Sequence, residues 1–359
     1  MPKQPLTALF RPEVLAMSAY HVADASRYIK LDAMENPYTW PEEVQQAWWD
    51  ELKACPINRY PDPEARFLAE TLRDSNQIPG CADILLGNGS DEIIQILLMA
   101  LPSTASVMAP EPGFVMYKQI ARSLGLRYCG VPLMAESFAL DMPAMLEAIR
   151  NEQPAVIFLA YPNNPTGNLF DAEAMEELLR VSTGLVVVDE AYAPFADASF
   201  IGLLPRYKNL LVMRTLSKLG LAGLRLGFMA GAPELLAELN KVRLPYNINC
   251  LTQATARFAL KHSGFLLEQT QAIRQQRTFL AGELSGLAKL QVYPSAANFI
   301  MLRLLHGSAD GVFESLKQQG VLIKNLSPQG GMLQNCLRVT VGKPDENQVF
   351  IRALTQALA

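Results

Sequence analysis

Histidine is scarce in this 359-residue chain. Only His21, His262 and His306 occur, far apart and in no metal-ligand spacing, so no zinc site is expected. The five cysteines form no Cys-x-x-Cys pair. Their odd number and irregular spacing fit reduced thiols in a cytoplasmic protein better than a disulfide framework. Charge is sparse as well, at 18% of residues with a formal net charge of -4. No block of Lys or Arg offsets that balance, so nothing favours a nucleic acid as partner. No apolar run approaches the ~20 residues that cross a bilayer, and no membrane association is expected. The start, MPKQPLTALFRPEVL, has proline and polar residues where a secretion signal needs an apolar segment.

What is present is enough chain for two unequal domains, half of it apolar. Residues 1–40 read as an arm lying on a larger body. A helix is predicted over PEEVQQAWWDELKAC, with Pro41 at its start, and a second after the turn RYPDP. Strand-like and helical segments then alternate. TASVMAP, LRYCGVPL, AVIFLAYP, GLVVVDEA and LLVMRTLS are apolar without polar alternation, the pattern of strands covered on both faces of a mostly parallel α/β sheet. ADILLGNG adds a strand before the helix SDEIIQILLMAL, and RLGFMAG a further strand near the edge. Residues 41–245 therefore form the large α/β domain. Residues 246–359 read as a smaller α+β domain: one long helix (TQATARFALKHSGFLLEQTQAIRQQRTFLAGELS), short strands at ANFIMLRL and CLRVTVG, and a final helix.

In an open α/β sheet, ligands bind beyond the carboxyl ends of the strands. Three predicted strands end there in polar groups. LLVMRTLS leads to Thr215, Ser217 and Lys218, with Arg225 after a Gly/Ala-rich loop. Lys218 is either a surface lysine with a snorkelling stem or a semi-buried amine of lowered pKa that attacks carbonyl carbon. Arg225 beside it would attract an anion such as phosphate, with the two hydroxyls adding hydrogen bonds. LVVVD delivers Asp189, with Tyr192 close behind. A carboxylate at the end of such a run needs a partner. That partner is a core arginine, backbone N–H groups, or a cationic ring nitrogen, the electron sink of pyridoxal phosphate chemistry. GNGSDE supplies a helix N-terminus with Ser90 as N-cap and the N–H groups of Ser90 and Asp91 available to an anion. Asn164 in YPNNPTG is either a turn residue or a ligand to a ring oxygen, and Phe114 either stacks on a flat ring or belongs to the core.

Taken together, MENPY, RYPDP, GNGSDE, PGFVMY, YPNNPTG, VVVDEAY, TLSKLGLAGLRLG and CLRVTVG, in this order, resemble the fold-type I, aspartate-aminotransferase-like, pyridoxal-phosphate enzymes. The resemblance implies a large domain with a mostly parallel seven-stranded mixed sheet flanked by helices, plus the smaller α+β domain. It also implies a homodimer with shared active sites. Lys218 would hold the coenzyme covalently and later carry the substrate proton, with Asp189 on the pyridine nitrogen and Asn164 and Tyr192 on the ring oxygen. Phe114 stands where the family stacks an aromatic, often tyrosine. Ser90, Asp91, Thr215, Ser217 and Arg225 would hold the coenzyme phosphate, with Tyr60 contributed by the other subunit. Tyr20, Glu35, Asn36, Lys324 and Arg338 are the implied substrate-binding residues. Lys324 stands where many members have arginine, keeping charge without the bidentate fork. More narrowly, the chain is similar to the branch that exchanges L-histidinol phosphate and 2-oxoglutarate for imidazole-acetol phosphate and L-glutamate in histidine biosynthesis. The alternative is an aromatic or broad-specificity amino-acid aminotransferase of the same fold.

Overall fold

The structure is a computed structural model and describes residues 6–19 and 23–359. In the arm, α1 (Pro12–Leu15) and β1 (Ile29–Lys30) precede α2 (Glu42–Lys53) and α3 (Arg66–Ser75). Pro41 occupies the N-cap of α2. A missing N–H is harmless there, because the first helical N–H groups have no internal acceptor.

The body continues with β2 (Asp83–Gly87), α4 (Gly89–Met99), β3 (Ser106–Glu111), α5 (Val115–Ser123), β4 (Arg127–Pro132) and α6 (Met142–Glu152). Then follow β5 (Val156–Ala160), α7 (Ala172–Val181), β6 (Leu185–Asp189), β7 (Leu210–Thr215), β8 (Gly227–Gly231) and α8 (Pro233–Asn240). The strands make one seven-stranded sheet in the order β2-β8-β7-β6-β5-β3-β4. All neighbours are parallel except at β8, which runs antiparallel to both β2 and β7. The predicted mostly parallel, mixed sheet is therefore present, with RLGFMAG one place in from the edge.

Burial on both faces explains the uninterrupted valines. Val187 packs with α4 and α5 on one face, while Val186 and Val188 pack with α3, α6 and α7 on the other. Each is fully buried, and removal from water stabilises by about 1.5–3 kcal/mol per side chain of this size. Asp189 follows directly, so a polar group is forced to the rim of a dry strand.

The C-terminal part comprises α9 (Cys250–Lys261), α10 (Gly264–Ser285), β9 (Leu290–Val292), β10 (Phe299–Leu304) and α11 (Ala309–Gln318). After these come β11 (Val321–Leu322), β12 (Lys324–Asn325), β13 (Cys336–Thr340) and α12 (Pro344–Leu358). An antiparallel sheet β12-β13-β10-β9 carries the second core, and β1 pairs in parallel with β11. The single long helix expected after residue 250 is two helices. His262 leaves helical geometry at φ -106° and ψ 33°, and α10 restarts after Ser263. Ala256, Ala259 and Leu260 of α9 pack into the large-sheet cluster together with Phe265 and Leu266 at the start of α10, and from Ile273 onward α10 packs into the small-domain cluster through Ile273, Leu280 and Leu284.

Candidate active site

The carboxyl edge of the large sheet gathers the chemistry. β6 ends at Asp189, the turn beyond β5 carries Asn164, and β7 leads into Ser217 and Lys218. The antiparallel β8 starts at this same edge, with Gly227 paired to both Thr215 and Gly87. That direction brings Arg225 to the rim. Asp189, Asn164, Thr215, Ser217, Lys218 and Arg225 line one cavity of about 400 Å³, together with Ser90, Asp91, Phe114, Tyr192 and Glu35.

Lys218 is an internal amine, not a surface one. Burial, reinforced by the nearby Arg338 and Arg225 charges and opposed by Glu35, pulls its pKa from 10.5 to about 8. Its Nζ donates to the Ala33 carbonyl at 3.1 Å and sits 6.0 Å from the centre of the Tyr192 ring. An amine near 8 is partly unprotonated at neutral pH, as a nucleophile or base requires.

Asp189 is 4% exposed. Of the partners open to it from sequence, the core arginine is not used. The Tyr117 hydroxyl donates to Oδ2 at 2.6 Å, and the Ala191 N–H donates to Oδ1 at 3.1 Å. Burial lifts its pKa to about 6, against the lowering effect of those two donors. The sequence reading gives Phe114 of PGFVMY either a ring-stacking or a core role and assigns none to Tyr117. The available signal was its place three residues after Phe114, on the same helical face.

The end of the cavity at Arg225 is built from backbone closeness. A Cβ on Gly227 would lie 2.9 Å from the Gly89 carbonyl carbon and 3.0 Å from the Ser90 nitrogen. A Cβ on Gly89, at φ +79°, would lie 2.9 Å from Arg225 Nη2. Glycine at both places lets the start of β8 press against the N-terminus of α4, whose first N–H groups lack helical acceptors. Ser217 Oγ is 2.9 Å from Thr215 Oγ1 and 3.5 Å from Arg225 Nη1. Ser90 is not the N-cap as expected: Asn88 holds that position and Ser90 lies inside the first turn. Glu92 turns back to accept from the Asn88 backbone and from Asn247. Asp91 faces the cavity, 3.8 Å from Arg225, and burial raises its pKa. Its Oδ1 is buried without a hydrogen-bond partner among the described residues. A carboxylate opposes an anion, so an anion bound here would rely on Arg225, the hydroxyls and the helix N–H groups.

Asn164 donates to the Tyr192 hydroxyl at 3.0 Å, and its oxygen accepts from Arg338 at 2.5 Å. Burial raises the Tyr192 pKa, so its phenol keeps its proton. Lys324 lies directly across from Arg338 in the β12–β13 pair. Glu35 lines the cavity and pairs with Lys30 at 2.8 Å. Asn36 does not line the cavity. Its amide is committed to the Leu219 carbonyl and to Gln269, clamping the turn that carries Lys218. Tyr60 is 81% exposed and stacked on Tyr246, away from this chain's own cavity. Tyr20 lies outside the described residues.

This arrangement belongs to a known class. The family model described as "Aminotransferase class I and II" matches residues 26–354, and the chain belongs to that family. Its relatives narrow the membership. The chain is 55% identical to histidinol-phosphate aminotransferase 2 of Nitrosococcus oceani, over 99% of this chain and 98% of that one. It is 52% identical to histidinol-phosphate aminotransferase 1 of Ralstonia nicotianae, over 98% and 95%. Within the class it is a member of the histidinol-phosphate aminotransferases. The fold matches that of the Sinorhizobium meliloti histidinol-phosphate aminotransferase solved with pyridoxal-5'-phosphate, at TM-score 0.86 and 23% identity over 97% of each chain.

Proposed function

We propose that the protein transfers an amino group between L-histidinol phosphate and 2-oxoglutarate, giving imidazole-acetol phosphate and L-glutamate, with pyridoxal phosphate as coenzyme. The observation that carries the substrate is the 55% identity to the Nitrosococcus oceani enzyme along nearly the whole chain. The lowered lysine and the buried aspartate, both lining one cavity, support the chemistry.

The residues fit the coenzyme. A carboxylate buried without a cationic partner among the described residues suits a protonated pyridine nitrogen, and the close Gly89–Gly227 contact sets Arg225 beside the N-terminus of α4, where a phosphate would be held. When bound, the coenzyme supplies a protonated ring that takes up the electron pair left when the substrate carbon loses its proton. Asp189 keeps that ring nitrogen charged. The amide of Asn164 and the protonated phenol of Tyr192 present hydrogen-bond donors to the ring oxygen. Phe114 gives the ring an apolar face. Arg225, Ser217, Thr215 and the N–H groups of Ser90 and Asp91 bind the phosphate. Lys218 Nζ would remove the proton from the substrate carbon and deliver it to the carbon on the other side of the transferred nitrogen; its pKa near 8 allows both directions. Arg338, bonded to Asn164 at the cavity edge, and Lys324 across the strand pair from it would supply positive charge for the substrate anion, which is a carboxylate in glutamate and a phosphate in histidinol phosphate. Tyr60, exposed on its own chain, completes the site of the second copy in a homodimer.

Glutamate-dependent amination of imidazole-acetol phosphate and of phenylpyruvate, measured side by side, tests the reading. Strong preference for the phosphorylated ketone is expected. Turnover of phenylpyruvate alone would establish the aromatic aminotransferase instead.

A further inference from the structure

Tyr117 is fully buried and touches the reacting machinery without lining the cavity. It is 1% exposed, its ring stacks on Phe158 at 4.5 Å and 8°, and its edge meets Phe114 at 5.4 Å. Both Phe114 and Tyr117 belong to the start of α5, so one helical turn sets the cavity's aromatic wall and the donor to Asp189. On the basis of the coenzyme reading above, we propose that Tyr117 is a positioning residue, whose phenol fixes the Asp189 carboxylate in the charged state and orientation that a protonated ring nitrogen needs.

The chemistry of the donor is the reason. Burial and its contact with Asp189 hold the phenol well above its ordinary pKa, so it acts as a donor throughout the working range. A donor at 2.6 Å favours the ionised carboxylate, because a protonated Asp189 would bring a second hydrogen into the same contact. The other charges acting on Asp189, from Asp91 and Glu190, are negative and push it toward protonation. A lysine or arginine in place of Tyr117 would also hold the carboxylate, but would cancel the charge intended for the ring. A neutral phenol orients without neutralising.

Tyr117→Phe removes one oxygen and keeps the stacking surface. Its effect is read by calorimetric binding of pyridoxamine phosphate, which lacks the aldehyde and so does not bond to Lys218, between pH 6 and 8.5. The same titrations use the 1-deaza analogue, which lacks the ring nitrogen, and the Asp189→Asn background. The expected loss of affinity is about tenfold near neutral pH, larger at lower pH, and nearly absent with the deaza analogue or with Asn at 189. Equal loss with both coenzymes, or an undiminished loss beside Asp189→Asn, would reduce Tyr117 to a packing role; unchanged affinity would also overturn the proposal. If Tyr117→Phe does not fold, 3-fluorotyrosine at 117, a stronger donor of nearly the same shape, is expected to move the acid limb of binding to lower pH. A shift to higher pH would overturn the proposal as well. Failure of the unaltered protein to bind pyridoxamine phosphate would sink the coenzyme reading itself, a separate result.

Discussion

Arg338 Nη1 lies 2.5 Å from Asn164 Oδ1. This contact joins β13 of the small sheet to the turn beyond β5 and fixes which way the Asn164 amide points. With its oxygen held by the guanidinium, the NH2 group is left for Tyr192. On the proposed reading, substrate charge and coenzyme oxygen would be handled by adjoining groups.

Arg338→Gln is expected to raise KM for histidinol phosphate by about 10- to 100-fold, the scale of one charge-assisted hydrogen bond. A smaller fall in kcat should accompany it as Asn164 loses its anchor. Arg338→Lys should recover little, because the second contact to the Asp32 carbonyl needs the fork. Steady-state kinetics on all three proteins checks this.

Lys218→Ala is expected to lower the rate of the glutamate half-reaction by at least about 10²–10⁴-fold. The protein should also fail to retain coenzyme after borohydride reduction, as read by intact mass. In the unaltered protein, covalent capture of pyridoxal phosphate should accelerate with rising pH and level off above about 8, where the amine is unprotonated. Capture independent of pH between 6.5 and 9 would contradict the lowered lysine.

Asp189 binds its proton more tightly folded, at about 6, than at its ordinary value of 3.8. The folded state therefore takes up a proton between these values. The group's contribution to stability is full below about pH 4 and is lost as pH rises through 6, an effect of about 3 kcal/mol. Asp189→Asn should abolish that part of the pH dependence of the coenzyme-free protein, seen as a difference between the two denaturant-unfolding series from pH 4 to 7.

Gly227→Ala is expected to cost about 1–3 kcal/mol of stability, because the added methyl meets backbone rather than a side chain that can swing away. Coenzyme phosphate affinity should fall further than stability alone explains, since the displaced atoms are at the N-terminus of α4. Calorimetry with inorganic phosphate and thermal unfolding separate the two effects.

Tyr60→Ala and Lys218→Ala, each weak alone, should complement when subunits are mixed and allowed to exchange. Random reassortment into heterodimers restores about one site in four if Tyr60 serves the partner's cavity. No gain over the separate variants, with exchange verified by mass, would place Tyr60 outside any shared site.

Much of this site is legible in the chain because dry strands ending in polar groups leave few alternatives. Val186 to Val188 are buried on both faces, so Asp189 can only emerge at the edge, and the same logic places Lys218 after β7. Tyr117 was illegible for the opposite reason: a buried tyrosine beside Phe158 looks like core until the carboxylate above it is located. Asn36 carries a motif's signature yet spends its amide on the Lys218 turn, a distinction made only by contacts far apart in sequence. The break at His262 was equally hidden, since apolar residues continue on both sides of it.

The ribbon from Ile29 to Asn36 is fastened at both ends. Ile29 and Lys30 are stitched to Val321 and Leu322 in the small domain, and Asn36 to the turn beside Lys218. Between them, the Ala33 carbonyl holds the lysine amine itself. One short ribbon thus ties the C-terminal strands directly to the Lys218 amine, a link separate from the seven-stranded sheet beneath.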